Sequence, residues 1–99
     1  MALTRTVYVS ICNADDSLGQ ARWTELHRKL VGLIRMRAAA VHDEWMSLHT
    51  SPRQSTCVAF DVEHDDVALL QHDLRSLAAD YRQDGLVWAE VQARFLNAA

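Results

Sequence analysis

The order of hydrophobic periods along this chain constrains its fold more than any other feature of the sequence. Residues 6–11 alternate apolar and polar side chains with the period of two that is typical of a half-buried strand. A helical spacing follows, set by Trp23, Leu26, Leu30, Leu33 and Ile34. Two further strands are predicted at residues 41–48 and 56–62, around a turn at 51–53.

The second half of the chain repeats the pattern of helix and strand. A second helical stripe consists of Val67, Leu70, Leu74, Leu77, Ala78 and Tyr81. Residues 86–95 then read as a fourth strand. With right-handed crossovers, this order predicts an α+β fold, a ferredoxin-like βαββαβ sandwich. Its antiparallel sheet would have the order 4-1-3-2, with both helices on one face.

Length, composition and charge exclude several classes of protein. The chain of 99 residues predicts a single domain, 1–99, and its hydrophobic content of 49% argues against disorder. A net charge of −3 gives no attraction toward phosphate backbones, so we do not expect nucleic acid as a partner. There is no apolar run of membrane-spanning length and no signal-peptide pattern, so we expect a cytoplasmic protein that does not bind a membrane.

Three polar loops are predicted to meet at one edge of the sheet, because the first and second strands end where the third and fourth begin. These loops are residues 13–17, 50–55 and 82–85, and each is richer in hydrogen-bonding side chains than a short connector needs. This loop edge is the main candidate for recognition of a partner. Its candidate residues are Asn13, Asp15, Asp16, Arg53, Gln54, Gln83 and Asp84. The alternative is that these residues only form turns.

The sheet face that the helices leave open is the second candidate. If Val7 and Val9 face the helices, Tyr8 faces outward. We expect the valines of the fourth strand to face inward as well. The remaining candidates on this face are then Trp88, Glu90 and Gln92. An open face with two aromatic side chains is typical of a homodimer, a ligand pocket or a partner surface, unless the pair only shields its own sheet.

The second strand and the helix starts give less direct signals. In the second strand, neither set of alternate residues is cleanly apolar. We expect Val41 and Trp45 to face the core, since an edge strand can have polar residues at its ends on the same side. Gly19 is predicted to cap a first helix over residues 20–37, and Asp65 or Asp66 to cap the second. This capping explains the acidic residues between 61 and 66 better than a calcium loop does.

Motifs for catalysis or for a cofactor are scarce. Cys12 and Cys57 share the outward parity, with His49 near the same edge, but a cysteine–histidine pair also needs an orienting group and an oxyanion site. The histidines show no paired metal spacing, and neither a phosphate loop nor a nucleophile elbow occurs. We therefore predict no metal, no cofactor and no catalytic residue, and leave a redox role of the two cysteines open.

Residues 7–16 (VYVSICNADD), 51–54 (SPRQ) and 81–90 (YRQDGLVWAE) resemble small uncharacterised proteins of actinobacteria and their bacteriophages. The resemblance spans most of the chain, and its motifs are moderately specific. It implies a phage accessory role, such as binding a host protein to redirect or inhibit it. It implies no catalytic residues.

Two functional classes follow from these observations. The first is a non-enzymatic protein–protein interaction module that binds a host protein, or a second copy of itself through the open sheet face. The second is a dimeric ferredoxin-like enzyme or small-ligand-binding protein with a pocket between sheet and helices. We favour the first class, because polar groups gather in loops and no reactive constellation is found. A deep pocket that contains histidine or cysteine would favour the second.

Overall fold

A computed structural model of the chain describes residues 3–13, 17–47, 53–92 and 96–98. The elements in chain order are β1 (Thr4–Cys12), α1 (Gln20–Arg37), β2 (Ala40–Met46), β3 (Ser55–Glu63), α2 (Val67–Asp80) and β4 (Val87–Val91). A 3-10 turn, His64–Asp66, leads into α2. The predicted alternation of strands and helices is confirmed.

The four strands form one antiparallel sheet with the order β2-β3-β1-β4. This is the predicted order read from the opposite edge, and it is compatible with a ferredoxin-like arrangement. β1 lies in the interior of the sheet, between β3 and β4. Its residue Tyr8 is therefore flanked by Ala59 on β3 and by Ala89 on β4.

The core lies between one face of the sheet and the two helices. Strict alternation buries Val7 and Val9 on β1 and Val58 and Phe60 on β3. The helical residues packed with them are Trp23, Leu26, Leu30, Ile34, Leu70 and Leu74. The molecule is only 18 Å thick in its shortest dimension, because one helix layer and one sheet layer make up its depth.

The helix starts confirm the predicted positions but not the predicted side-chain cap. Gly19 is the N-cap of α1, as expected. Asp66 stands at the N-cap position of α2, but its side chain makes no capping hydrogen bond. The preceding 3-10 turn gives Asp66 a helical backbone (φ −93°, ψ −8°), whereas a capping aspartate needs an extended one.

β2 places Trp45 on the open face, so the prediction that Trp45 faces the core is wrong. The register with β3 shifts between Val41 and Asp43, which inserts His42 as an extra residue in a β-bulge. Val41, before the bulge, packs against the core as expected. After the bulge the parity is inverted, and Trp45 is 48% exposed.

β4 also faces the opposite way from the prediction. Trp88 lies opposite Val9, and Glu90 lies opposite the buried Val7. Residues directly opposite one another in an antiparallel pair share a face, so Trp88 and Glu90 are on the helix side and were wrongly assigned to the open face. Gln92 lies beyond the last residue of β4 and is exposed.

Trp88 lies on the helix side because its long side chain reaches the core from the edge strand. Its ring packs edge-on against Phe60, with ring centroids 5.9 Å apart and an interplanar angle of 76°. The two residues stand on β4 and β3, with β1 between them, so a long side chain is needed to join the core from this edge. The shorter side chains of β4 are left on the open face.

Candidate functional site

The open sheet face carries most of the exposed apolar side chains of the sheet. Its outward residues are Thr6, Tyr8, Ser10, Cys12, Asp43, Trp45, Cys57, Ala59, Asp61, Val87, Ala89 and Val91, and the polar ones Thr6, Asp43 and Asp61 lie toward one end of the face. Tyr8 is 40% exposed and Val87 60%. Within the described residues both helices pack on the other face, so no helix covers this one. A contiguous apolar surface of this kind is typical of an interaction site.

A pair of aromatic rings forms a ridge on this face. Tyr8 and Trp45 meet edge to face, with centroids 6.2 Å apart and planes at 70°. Ala59, directly opposite Tyr8, is only 3% exposed although it lies on the open side. The predicted pair of Tyr8 and Trp88 is therefore wrong, and Trp45 is the residue that pairs with Tyr8 on the open face. The mixed parity of β2 was the sequence signal for the bulge that brings Trp45 there.

Beside the ridge lies a lower strip along β4, formed by Val87, Ala89 and Val91. These residues carry short side chains and no charge. The open face thus combines a raised aromatic ridge on β1 and β2 with a lower aliphatic strip on β4. Two surfaces of this shape can interlock when one is turned relative to the other.

A hydrogen-bonded cluster limits the apolar area on one side. Thr6 Oγ1 donates to Asp61 Oδ1 at 2.7 Å, and His42 Nε2 lies 2.9 Å from the same oxygen. The Thr6 hydroxyl, and then His42, hold the pKa of Asp61 below its ordinary value. The bulge residue His42 therefore links β2 to an ionised carboxylate on β3.

Glu90 belongs to a second cluster on the helix side of β4. Arg5 Nη1 donates to Glu90 Oε1 at 2.9 Å, and the Trp88 indole N–H points at the same oxygen from 3.4 Å. The Arg5 guanidinium, and then Trp88, hold the pKa of Glu90 below its ordinary value. This predicted interaction residue joins β4 to β1 instead.

The loop edge brings the first two predicted loops together through Asn13, which is buried. Its backbone N–H donates to Gln54 O at 2.9 Å, and its Nδ2 donates to Gln54 Oε1 at 2.7 Å and to Leu18 O at 2.9 Å. Leu18 N donates back to Asn13 Oδ1 at 3.1 Å. Gln54 in turn donates to Gln20 Oε1 at 2.6 Å. Asn13 and Gln54 therefore bind each other and neighbouring backbone.

The third loop joins the same edge through Gln83, which is also buried. Gln83 Nε2 donates to Tyr81 O at 3.0 Å and to Ser17 Oγ at 3.3 Å. Arg53 and Asp84 are exposed, whereas the predicted candidates Asp15 and Asp16 lie outside the described residues. The three loops meet as predicted, but the amides that were candidates for recognition hold the loops to one another.

The two cysteines share the open face without facing each other directly. Cys57 lies opposite Ser10, and Cys12 lies opposite Ser55, so the cysteines are diagonal neighbours with free thiols. Burial raises the pKa of the Cys57 thiol, which lowers its thiolate fraction. His49 lies outside the described residues. Among the residues that are described, no group of three or more His, Cys, Asp or Glu side chains could hold a metal ion.

A cavity that the sequence did not indicate separates α2 from β4. Its volume is about 360 Å³, and its lining is Gln71, Arg75, Ala78, Ala79, Gln83, Asp84, Gly85, Leu86 and Trp88. This lining contains neither histidine nor cysteine, and its charged residues are Arg75 and Asp84. Its position follows from the inward facing of Trp88, which forms one wall.

No protein-family model matches this chain, and no curated protein matches it in sequence. Of the helices in the described residues, neither is long and apolar enough to cross a membrane.

Proposed function

We propose that this domain is a non-enzymatic protein–protein interaction module, built as a ferredoxin-like sandwich, that binds through its open sheet face. One observation carries the proposal: the Tyr8–Trp45 ridge and the β4 strip are exposed on a sheet whose opposite face is already filled by core residues. Burial of such apolar surface is the main favourable term in protein association.

A second copy of the chain is the partner that this face fits first. A twofold interface needs one surface that complements itself. A twofold axis parallel to the strands lays β2 of one copy over β4 of the other and β1 over β3. It places Trp45 on the β4 strip at the level of Val87, and Tyr8 over Ala59. The charged cluster around Asp61 is then at the margin.

The size of the face predicts a weak dimer. Four strands spaced about 4.8 Å apart, over five residues of about 3.4 Å each, give a flat footprint of roughly 19 by 17 Å. This footprint is about 320 Å². Even if the corrugation of side chains doubles it, the area stays below the roughly 800 Å² per partner of a standard stable interface. A weak dimer also leaves the face accessible to another protein.

The resemblance of residues 7–16 and 81–90 to actinobacteriophage proteins supports the finer proposal that this other protein is a host protein in the cytoplasm. Such a partner would compete with self-association, because both use the same apolar ridge. The module would then act as a phage accessory protein that modulates its target by occupying it.

The test is sedimentation of the purified chain from about 10 μM to about 1 mM, a range that covers weak association. Val87→Lys, which places a charge in the strip, should abolish the concentration-dependent dimer, and so should Trp45→Ala. The matched control is Leu69→Lys, which adds the same charge at an exposed leucine of α2 and should leave the dimer intact.

A parent chain that stays monomeric throughout would exclude a second copy as the occupant. The host-protein proposal would then depend on capture from host lysate that Val87→Lys abolishes and Leu69→Lys preserves. If neither dimerisation nor capture depends on Val87 and Trp45, the open sheet face is not the binding surface.

A further inference from the structure

The two edges of the sheet differ in how well they resist pairing with another strand. β2 carries the bulge and the polar run His42, Asp43 and Glu44, both of which discourage strand addition. β4 pairs with β1 over five consecutive residues without a shift, and its one charged residue, Glu90, is bound to Arg5. No described strand pairs with the outer edge of β4. Its outward backbone groups can therefore pair with an added strand.

The cavity between α2 and β4, here called the α2–β4 groove, lies beside this unprotected edge. Ala78, Ala79 and Gly85 are small, and their size leaves the space open. Trp88, half-buried, and Leu86 supply apolar walls. A volume of about 360 Å³ is at the lower end of the range for ligand sites and accommodates a large side chain.

The groove also contains charges without partners. Within the described residues, the side chains of Arg75 and Asp84 make no ion pair or hydrogen bond, whereas those of Arg5, Arg35 and Arg37 each bind a carboxylate. Arg75 lies on the middle part of α2, and Asp84 lies in the turn before β4. A free guanidinium beside an apolar groove favours a ligand that brings a carboxylate to it.

We infer that the outer edge of β4 and the α2–β4 groove together bind an extended peptide segment of a partner protein. The peptide adds to the sheet as a fifth strand, places an apolar side chain in the groove and sets an acidic side chain two residues away against Arg75. Alternate side chains of an added strand face the helix side, so positions two apart both reach this groove. A small molecule could fill the groove, but it would leave the edge of β4 unpaired.

This surface is separate from the open sheet face, so the peptide site and the proposed function can fail independently. The probes are two fluorescein-labelled, threonine-rich decapeptides in which leucine and glutamate are two positions apart, one in each order. The control peptide has the same composition with leucine and glutamate adjacent, which puts them on opposite faces of the strand. Binding is measured by fluorescence anisotropy.

We expect at least one of the two spaced peptides to bind at least tenfold more tightly than the control peptide. Ala79→Leu, which fills the groove, and Arg75→Glu should each weaken this binding at least tenfold. The matched controls Ala68→Leu, exposed on the same helix, and Arg28→Glu, exposed on α1, should leave it unchanged. Two further peptides carry methyl groups on alternate backbone nitrogens, one at the odd and the other at the even positions. The peptide whose methylated nitrogens face β4 should not bind.

Several results would overturn this inference. Equal binding of the spaced and control peptides, or no binding of either spaced peptide, would exclude the predicted recognition. Unchanged binding by Ala79→Leu would exclude the groove, and unchanged binding of both methylated peptides would exclude strand addition. A dimer that survives Trp45→Ala but dissociates in Ala79→Leu would show that a second copy occupies this edge. Peptide binding retained by Trp45→Ala would confirm that the two surfaces are distinct.

Discussion

Trp88 faces the helices and Trp45 faces outward, the reverse of what the strand patterns predict. The free energy lost when each is truncated to alanine tests this assignment. Truncating a fully buried tryptophan to alanine costs about 3 to 5 kcal/mol. Trp88 is half-buried, so about half of that applies, and loss of its edge-on contact with Phe60 adds about 0.5 to 1.5 kcal/mol. We therefore expect Trp88→Ala to lower the free energy of unfolding by about 2 to 4 kcal/mol.

Trp45→Ala should cost less. Trp45 is 48% exposed, and its main ring contact is the edge-to-face pair with Tyr8. We expect a loss of about 1 to 2 kcal/mol, from that pair and the part of the ring that rests on the sheet. The midpoints of the two ranges differ by about 1.5 kcal/mol. In a domain of this size each kcal/mol shifts Tm by roughly 4 to 8 °C, so the two variants should differ in melting temperature by about 6 to 12 °C.

The assay is urea unfolding followed by circular dichroism, at a concentration where the chain is monomeric. Intrinsic fluorescence gives an independent measurement, because Trp23 is buried and Trp88 half-buried while Trp45 faces solvent. Removing Trp45 should move the emission maximum to shorter wavelength, and removing Trp88 should not. Equal losses of stability, or a blue shift in the Trp88→Ala variant only, would refute the assignment of the two faces.

Three further predictions concern the core, the charged margin and the thiols. Leu74→Ala should cost about 2 to 5 kcal/mol by urea unfolding, whereas the half-exposed Leu69→Ala on the same helix should cost less than about 1 kcal/mol. Because the pKa of Asp61 is lowered on folding, its charge stabilises the protein above the ordinary value of 3.8, and this contribution disappears as pH falls through the folded pKa. The stability difference between the parent and Asp61→Asn should thus be present at about pH 5 and shrink as the pH falls below 3.8, as measured by urea titrations. Iodoacetamide should alkylate exposed Cys12 faster than Cys57, whose burial raises its thiol pKa, as followed by mass spectrometry.

The interior strands and both helices could be predicted because bulky apolar side chains recur on one side of each, whereas the other side carries smaller or more polar residues. On β1, polar residues alternate with Val7 and Val9, so the apolar parity identifies the buried face. The same holds for α2, where Leu70 and Leu74 form a stripe among polar residues. The strand order then followed from the handedness of the crossovers, and it located the loop edge correctly.

The edge strands could not be predicted in the same way. On β4 the two valines and Ala89 form the more apolar side, so the pattern favours burial of that side. The opposite side faces the helices instead, because the Trp88 ring reaches Phe60 in the core. On β2 the parity rule fails at His42, where an extra residue inverts every later side chain. Both errors fall on the strands that line the candidate binding surfaces, where apolar side chains face outward.

The loop edge shows how the hydrogen bonds of a polar cluster indicate its role. Asn13 uses both its amide nitrogen and its amide oxygen within the protein, and the groups it binds belong to two different loops. A partner would have to break these bonds before it could form its own, so the buried amides contribute little to recognition. Asn13→Ala should instead leave Leu18 N and Gln54 Oε1 without this partner and cost about 1 to 3 kcal/mol of stability by urea unfolding, with peptide binding and self-association unchanged in the folded protein. If Asn13→Ala folds with parental stability but loses a partner, the loop edge is a recognition surface, and the internal hydrogen bonds are incidental to its role.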